Sequence, residues 1–243
     1  ILGVLFRLDR NKIVVAGAGP AGNRFRMRLG WQTHTDYVLG LYEPEMISVL
    51  QQRLRAGDTC VDLGAHVGYI SAIMARLVGP RGRVVSFEPV LETNGALIEN
   101  MRLNGLNNVT VERAAVGNTE GTLELTCSRG EELSWTASAT GYSLPGEGVR
   151  ISVPVFSLDA YITRTGLRPA LLKIDVEGAE LLALDGARRT LIDIRPAVLI
   201  EIHDLGDSHR TSVLELLKGC HYTVTKLCTR EREILCLALP NVS

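Results

Sequence analysis

From Thr59 onward, short apolar runs alternate with longer segments of helical period. Thr59–Leu63, Arg83–Phe87, Val109–Val116, Leu123–Thr126, Ile151–Phe156, Leu171–Ile174 and Ala197–Ile202 read as strands. Helices are predicted over Tyr69–Val78, closed by Gly79-Pro80, over Thr93–Leu103, closed by Asn104-Gly105, and over Ala179–Leu191 and Thr211–Lys218. Strands separated by helices imply an α/β fold with a mostly parallel sheet covered on both faces. Tyr222–Leu227 and Ile234–Leu239, around Thr229-Arg230-Glu231, predict a C-terminal antiparallel hairpin. Residues 127–148 carry Ser, Thr and Gly without a clear period and read as a mobile loop holding Trp135 and Tyr142.

Ahead of this region, Ile13–Ala16 reads as a strand, followed by Gly17-Ala18-Gly19-Pro20-Ala21-Gly22. A dinucleotide fingerprint needs a helix directly after its glycines. Asn23–Leu29 alternates polar and apolar instead, so a β-hairpin is expected. Pro44 opens a helix over Glu43–Arg55, with Met46, Ile47, Leu50 and Leu54 at helical spacing and Gly57 as its stop. Residues 1–42 are therefore expected to form a small β-rich cap, and residues 43–243 the main domain.

The formal net charge is −1, which supplies no positive field for nucleic acid. Five cysteines occur without a C-x-x-C pair, which argues against a thiolate metal site or a disulfide framework. Buried free thiols and a reducing, cytoplasmic location are expected. No run reaches the ~18 apolar residues of a membrane span. The N-terminus lacks the order of a secretory leader, although a longer natural N-terminus is compatible with a chain starting at Ile1.

The densest chemistry lies in Val61-Asp62-Leu63-Gly64-Ala65-His66-Val67-Gly68-Tyr69. Glycine at a strand end permits a tight turn and close approach to a ligand. The helix that follows aims free N–H groups at that ligand. Asp62 would repel a pyrophosphate but suits a cofactor bearing an ammonium group, as S-adenosylmethionine does. Glu88, ahead of Pro89 at the end of the next strand, is placed to accept ribose hydroxyls.

A second cluster, Lys173-Ile174-Asp175-Val176-Glu177-Gly178-Ala179-Glu180, flanks another strand end, and Glu201-Ile202-His203-Asp204 ends the strand after it. Strand ends of an open α/β sheet share one rim, so Asp175 and His203 are candidate catalytic bases, His203 as a neutral imidazole. Glu177, Trp135 and Tyr142 are candidate substrate contacts. Lys173 reads as a surface residue or structural ion pair, and Glu180 as a first-turn acid satisfying the helix dipole. A resident divalent metal is not expected, although Asp175, Glu177, Glu201 and His203 offer suitable ligands.

Taken with Tyr42-Glu43-Pro44, Asn100 with Asn104, Ala114-Ala115-Val116-Gly117 and Leu158-Asp159, these motifs resemble the FkbM-type family of S-adenosylmethionine-dependent methyltransferases from about Tyr42 to His203. The resemblance implies a Rossmann-like class I fold with a seven-stranded sheet. It also implies O-methylation of a natural-product scaffold or sugar hydroxyl, with S-adenosylhomocysteine as product. It places Asp62, Gly64, Gly68, Tyr69 and Glu88 at the cofactor, and Ala114 and Ala115 beside its adenine; Ala65, His66, Pro89 and Asp175 are further candidates for cofactor contact. His66 departs from the family's usual Asn, at a position that favours positive φ.

The partner expected is a small hydroxyl acceptor, with a homodimer compatible with the sequence. N- or protein methylation, an NAD-binding oxidoreductase using Gly17–Gly22, and a non-catalytic cofactor-binding scaffold are the competing readings.

Overall fold

The computed structural model describes residues 13–18, 23–28, 35–129, 135–138, 148–230 and 233–242. The first hairpin pairs β1 (Ile13–Ala18) antiparallel with β2 (Asn23–Arg28), with Ala18 opposite Asn23. The residues after the first glycines thus continue as a strand, as the alternation at Asn23–Leu29 predicts. Then come α1 (Thr35–Leu39), α2 (Pro44–Arg53), β3 (Thr59–Leu63), α3 (Tyr69–Val78), β4 (Arg83–Phe87), α4 (Leu91–Leu103) and β5 (Val109–Glu112). A small sheet follows, formed by β6 (Ala115–Gly117), β7 (Gly121–Arg129), β8 (Trp135–Ser138) and β9 (Gly148–Ser157). The chain ends with α5 (Leu158–Thr165), β10 (Leu171–Ile174), α6 (Glu180–Asp185), β11 (Ala197–His203), α7 (Asp207–Gly219), β12 (Tyr222–Thr229) and β13 (Glu233–Pro240).

The main sheet has seven strands in the order β12-β13-β11-β10-β3-β4-β5. Pairing is parallel from β5 to β11, and β13 and β12 close the edge antiparallel. The chain runs outward from β3 in one direction and from β10 in the other, which opens a crevice at their carboxyl ends.

One face packs under α2, α3 and α4 through Met46, Leu50, Ala72, Ile73, Leu97 and Met101. The other packs under α5, α6 and α7 through Leu158, Ile162, Leu184, Val213 and Leu217. Burial on both faces explains why β10 is entirely inside although it carries Lys173.

The N-terminal hairpin is held by two asparagines one turn apart on α4. Asn104 accepts from the Arg26 amide (2.9 Å) and donates to its carbonyl (2.7 Å), and Asn100 accepts from the Arg28 amide (2.6 Å). Their side-chain amides satisfy the open edge of β2 as another strand would.

Three expectations are corrected. The predicted strand Val109–Val116 breaks at Arg113-Ala114, because β5 pairs with β4 while β6 pairs with β9 in the second sheet. The loop expected at 127–148 is partly strand: β7 runs to Arg129 and β8 pairs with it, over a core of Val90, Leu125, Cys127 and Val153. The helix expected over Ala179–Leu191 ends at Asp185, and a π turn follows at Thr190–Ile194. A Cβ on Gly186 would lie 1.9 Å from the Gly117 carbonyl, so the backbone of β6 crosses there. Beyond the break, Asp159 accepts from the Arg189 amide (2.9 Å) and the Thr190 amide (2.8 Å). Helix α5 was not predicted, although Ser157 caps it by accepting from the Ala160 amide at 3.1 Å.

Candidate functional site

The turn after β3 is shaped by three left-handed residues: Gly64 at φ 79°, His66 at φ 49° and Gly68 at φ 87°. A Cβ on Gly64 would stand 1.7 Å from the Asp175 carbonyl oxygen, so only glycine lets the turns after β3 and β10 touch. The Gly64 and Ala65 amides donate to the Phe87 carbonyl (3.1 and 2.9 Å), folding the loop over the end of β4. His66 takes the positive φ its position requires, and its amide donates to Glu88 Oε2 at 2.9 Å. Gly68 leads into α3 without a side-chain cap, which leaves first-turn N–H groups facing the crevice.

Asp62 is 0% exposed. Its Oδ2 accepts from Ser71 Oγ at 2.5 Å, and Ser71 in turn touches Ser86 Oγ at 2.8 Å. Its Oδ1 faces Lys173 Nζ at 3.2 Å but is buried with no hydrogen-bond partner among the described residues. The contact is an ion pair, with the distance but not the alignment of a hydrogen bond. Lys173, 3% exposed, donates to the Gly64 carbonyl (2.8 Å) and lies 3.4 Å from Asp175 Oδ2. Burial opposes its charge, yet Asp62, Asp175 and Glu201 hold its pKa above the ordinary lysine value. Lys173 is therefore the ion pair that joins the two turns.

Glu88 Oε1 accepts from the Val90 amide (2.9 Å) and Thr93 Oγ1 (2.8 Å), while among the described residues Oε2 accepts from the His66 amide (2.9 Å). Burial pushes its carboxyl up to about 7 despite these donors. A carboxylate has about four acceptor positions, so Oε2 can take a further donor. Pro89 follows at the strand end. Ala114, buried, and Ala115, half-buried, come just after Glu112, whose carbonyl accepts from the Glu88 amide at 3.0 Å. The Tyr69 ring points elsewhere, into an aromatic cluster with Tyr37, Tyr42 and Phe25 at centroid distances of 4.6, 5.7 and 6.3 Å.

Across the crevice, His203 Nδ1 lies 2.9 Å from Glu180 Oε1. Glu180 is fully buried and also accepts from the Gly178 amide (2.8 Å) and His209 Nε2 (2.9 Å). Burial alone would raise the Glu180 carboxyl, but the bonds from His203 and His209 bring it down to about 2. Burial alone would lower His203, but its bond to Glu180 and the charges of Asp175 and Glu177 push it up to about 10. The carboxylates around His203 thus favour its protonated form, against the neutral imidazole expected from the sequence. Burial raises Glu177 to about 7, and Glu201, facing Asp175 and Glu43, to about 9.

Sequence reasoning assigned no site role to Glu43, Glu233 or Arg230. Arg230 bonds Glu43 (2.5 Å), Glu201 (2.7 Å) and Glu233 (3.0 Å), tying the entry of α2 to the C-terminal hairpin. Their signals were Glu43 in the Tyr42-Glu43-Pro44 motif and Arg230 in the hairpin turn. Trp135 lies in β8, and Tyr142 lies outside the described residues. All five cysteines are free. No described helix is long and apolar enough to cross a membrane.

The family of the methyltransferase FkbM domain matches residues 62–224. A 70-residue stretch is 39% identical to the protein-L-isoaspartate O-methyltransferase of Ignicoccus hospitalis, covering 28% of this chain and 33% of that protein. The chain therefore spans about a third of that relative's length. Methyltransferase 1 of Beauveria bassiana is 27% identical over 176 residues, covering 65% of this chain and 70% of that protein. Among solved structures, the FkbM methyltransferase of Methylobacillus flagellatus KT superposes with a TM-score of 0.53 at 19% identity, covering 82% of this chain and 59% of that one. The precorrin-6y C5,15-methyltransferase of Geobacter metallireducens GS-15 gives 0.52 at 15% identity, over 81% and 89%. The fold is the Rossmann-like class I methyltransferase fold.

Proposed function

Because the chain belongs to the FkbM methyltransferase domain family, we propose that this S-adenosylmethionine-dependent methyltransferase acts on a hydroxyl oxygen of a small molecule, a natural-product scaffold or a sugar. One observation carries the reading: the contact of Gly64 with the Asp175 carbonyl brings the glycine loop and the second polar strand end into one crevice.

The residues present fit the cofactor. Asp62 Oδ1 is a buried acceptor without a hydrogen-bond partner among the described residues, and Glu88 Oε2 accepts from the His66 amide with room for a further donor. When bound, S-adenosylmethionine supplies an electrophilic methyl carbon on its sulfonium. The N–H groups at the start of α3 would hold its carboxylate, Asp62 its ammonium group and Glu88 a ribose hydroxyl, with Asp175 on the side of the sulfonium. Gly64, Ala65, His66 and Gly68 shape the loop around it, with Pro89, Ala114 and Ala115 beside the adenosine.

Aligning the acceptor oxygen supplies much of the acceleration. Asp175, partly open to the crevice, takes the hydroxyl proton. His203 orients Asp175 and Glu177, at 3.9 and 3.3 Å from its Nε2. Asp175→Asn should abolish turnover while S-adenosylhomocysteine affinity stays within a few-fold of wild type; retained turnover would sink the assignment.

One observation favours a second reading. Asp175, Glu177 and Glu233 crowd the acceptor side, and such a surplus of carboxylates also suits a protonated amine, as in N-methylation. Amine and hydroxyl acceptor panels distinguish the two. Localisation in the cytoplasm and a cap role for the N-terminal hairpin belong to the same proposal.

A further inference from the structure

Asp175, Glu177 and His203 each offer a ligand atom, and the three lie within 4.8 Å of one another. His203 Nε2 stands 3.3 Å from Glu177 Oε2, 3.4 Å from Glu233 Oε2 and 3.9 Å from Asp175 Oδ1. We infer that these four side chains form a binding site for one divalent cation of the magnesium–manganese class.

Around a six-coordinate ion with bonds of about 2.1 Å, neighbouring ligand atoms stand roughly 3 Å apart. Glu177 and Glu233 stand near that spacing from Nε2, Asp175 at 3.9 Å has to close in, and the cation takes the place of the Nε2 proton. Carboxylate oxygens with one imidazole suit a hard or borderline cation.

The imidazole is set from outside the ligand group. Glu180, itself fixed by the Gly178 amide and His209, holds Nδ1 at 2.9 Å and directs Nε2 at the carboxylates. A carboxylate behind a histidine is the usual support for a metal-bound imidazole. Asp175 is oriented in the same way: Lys173 faces its Oδ2 at 3.4 Å, which leaves Oδ1 toward His203. Glu177 reaches the same point from a left-handed residue (φ 49°) followed by Gly178 (φ 94°).

The cation site rests on these side chains alone. Its use rests on the methyltransferase reading: the cation would bind the acceptor oxygen and acidify its hydroxyl, easing proton transfer to Asp175.

The test is calorimetric titration of chelator-stripped protein with MnCl2 at pH 8, with the free Mn²⁺ signal followed by electron paramagnetic resonance. One Mn²⁺ per chain is expected. Affinity should fall at least ~10-fold in Glu177→Gln and His203→Gln, and about 10- to 100-fold in the supporting variant Glu180→Gln. Glu215→Gln, an exposed acid on α7, should bind as wild type. Melting curves identify any variant that fails to fold, and Glu233→Gln then supplies the needed case. Absent saturable uptake, or uptake equal in all variants, means a structural imidazolium ion pair only and overturns the site. Titration of the stripped protein with S-adenosylhomocysteine tests the methyltransferase reading separately, so either can fail without the other.

Discussion

Replacing Gly64 by alanine tests the contact on which the crevice depends. The residue has φ 79°, and its Cβ would stand 1.7 Å from the Asp175 carbonyl oxygen and 2.9 Å from the carbonyl carbon. The left-handed backbone costs an alanine about 1–2 kcal/mol. The clash is with backbone, so no side chain can rotate away, and the turns after β3 and β10 must part. Strain of that kind adds roughly 1–3 kcal/mol. A total of roughly 2–5 kcal/mol lowers the melting temperature by about 5–15 °C in a chain of this size.

Gly57→Ala is the matched control. Its φ is 96°, but a Cβ there meets nothing within 4 Å, so it pays only the backbone cost. Thermal unfolding of both variants isolates the clash, and calorimetry with S-adenosylhomocysteine reports its effect on the crevice. Gly64→Ala should lose most of its affinity while Gly57→Ala retains it. Equal melting shifts, or unchanged ligand affinity in Gly64→Ala, would refute the reasoning.

Three further outcomes are expected. Lys173→Met leaves Asp62 buried and charged without its counter-ion, so unfolding experiments should show a loss of about 3–5 kcal/mol. Burial raises Glu88 in the fold to about 7 from 4.5, so the native state holds that proton more firmly than the unfolded chain does. Stability from this group is present below about 4.5 and lost as pH rises toward 7, by about 3 kcal/mol. S-adenosylhomocysteine affinity should rise over the same window, and Glu88→Gln should flatten both profiles in pH-series calorimetry. Asn100→Ala removes the acceptor of the Arg28 amide and the donor to the Val67 carbonyl. It should cost about 1–3 kcal/mol and speed hydrogen exchange at Arg28 while leaving β10 protected.

The strands β3, β4 and β10 and the helix α3 matched their predicted limits because local patterns fix them: apolar runs bounded by glycine and proline. The second sheet was not legible. Its strands expose one face, so their Ser and Thr resemble a loop, and the switch of partners at Arg113-Ala114 depends on β9, far along the chain. The early end of α6 is likewise tertiary, set by the approach of Gly117 to Gly186. At the site, residue types and strand ends identified Asp62, Glu88, Asp175 and His203. The carboxylate setting of His203 was hidden, because Glu180 and the folded-back Glu177 reach it only in the fold. Glu43 and Arg230, 187 positions apart in sequence, meet only once α2 and the C-terminal hairpin pack on the same rim.

Calorimetric titration with S-adenosylhomocysteine, run in parallel with NAD, tests the central claim most directly. The account predicts saturable micromolar binding of S-adenosylhomocysteine at one site per chain, weakened in Glu88→Gln, and no heat with NAD. Binding of NAD alone would contradict it and return the glycines at 17–22 to the role of cofactor loop.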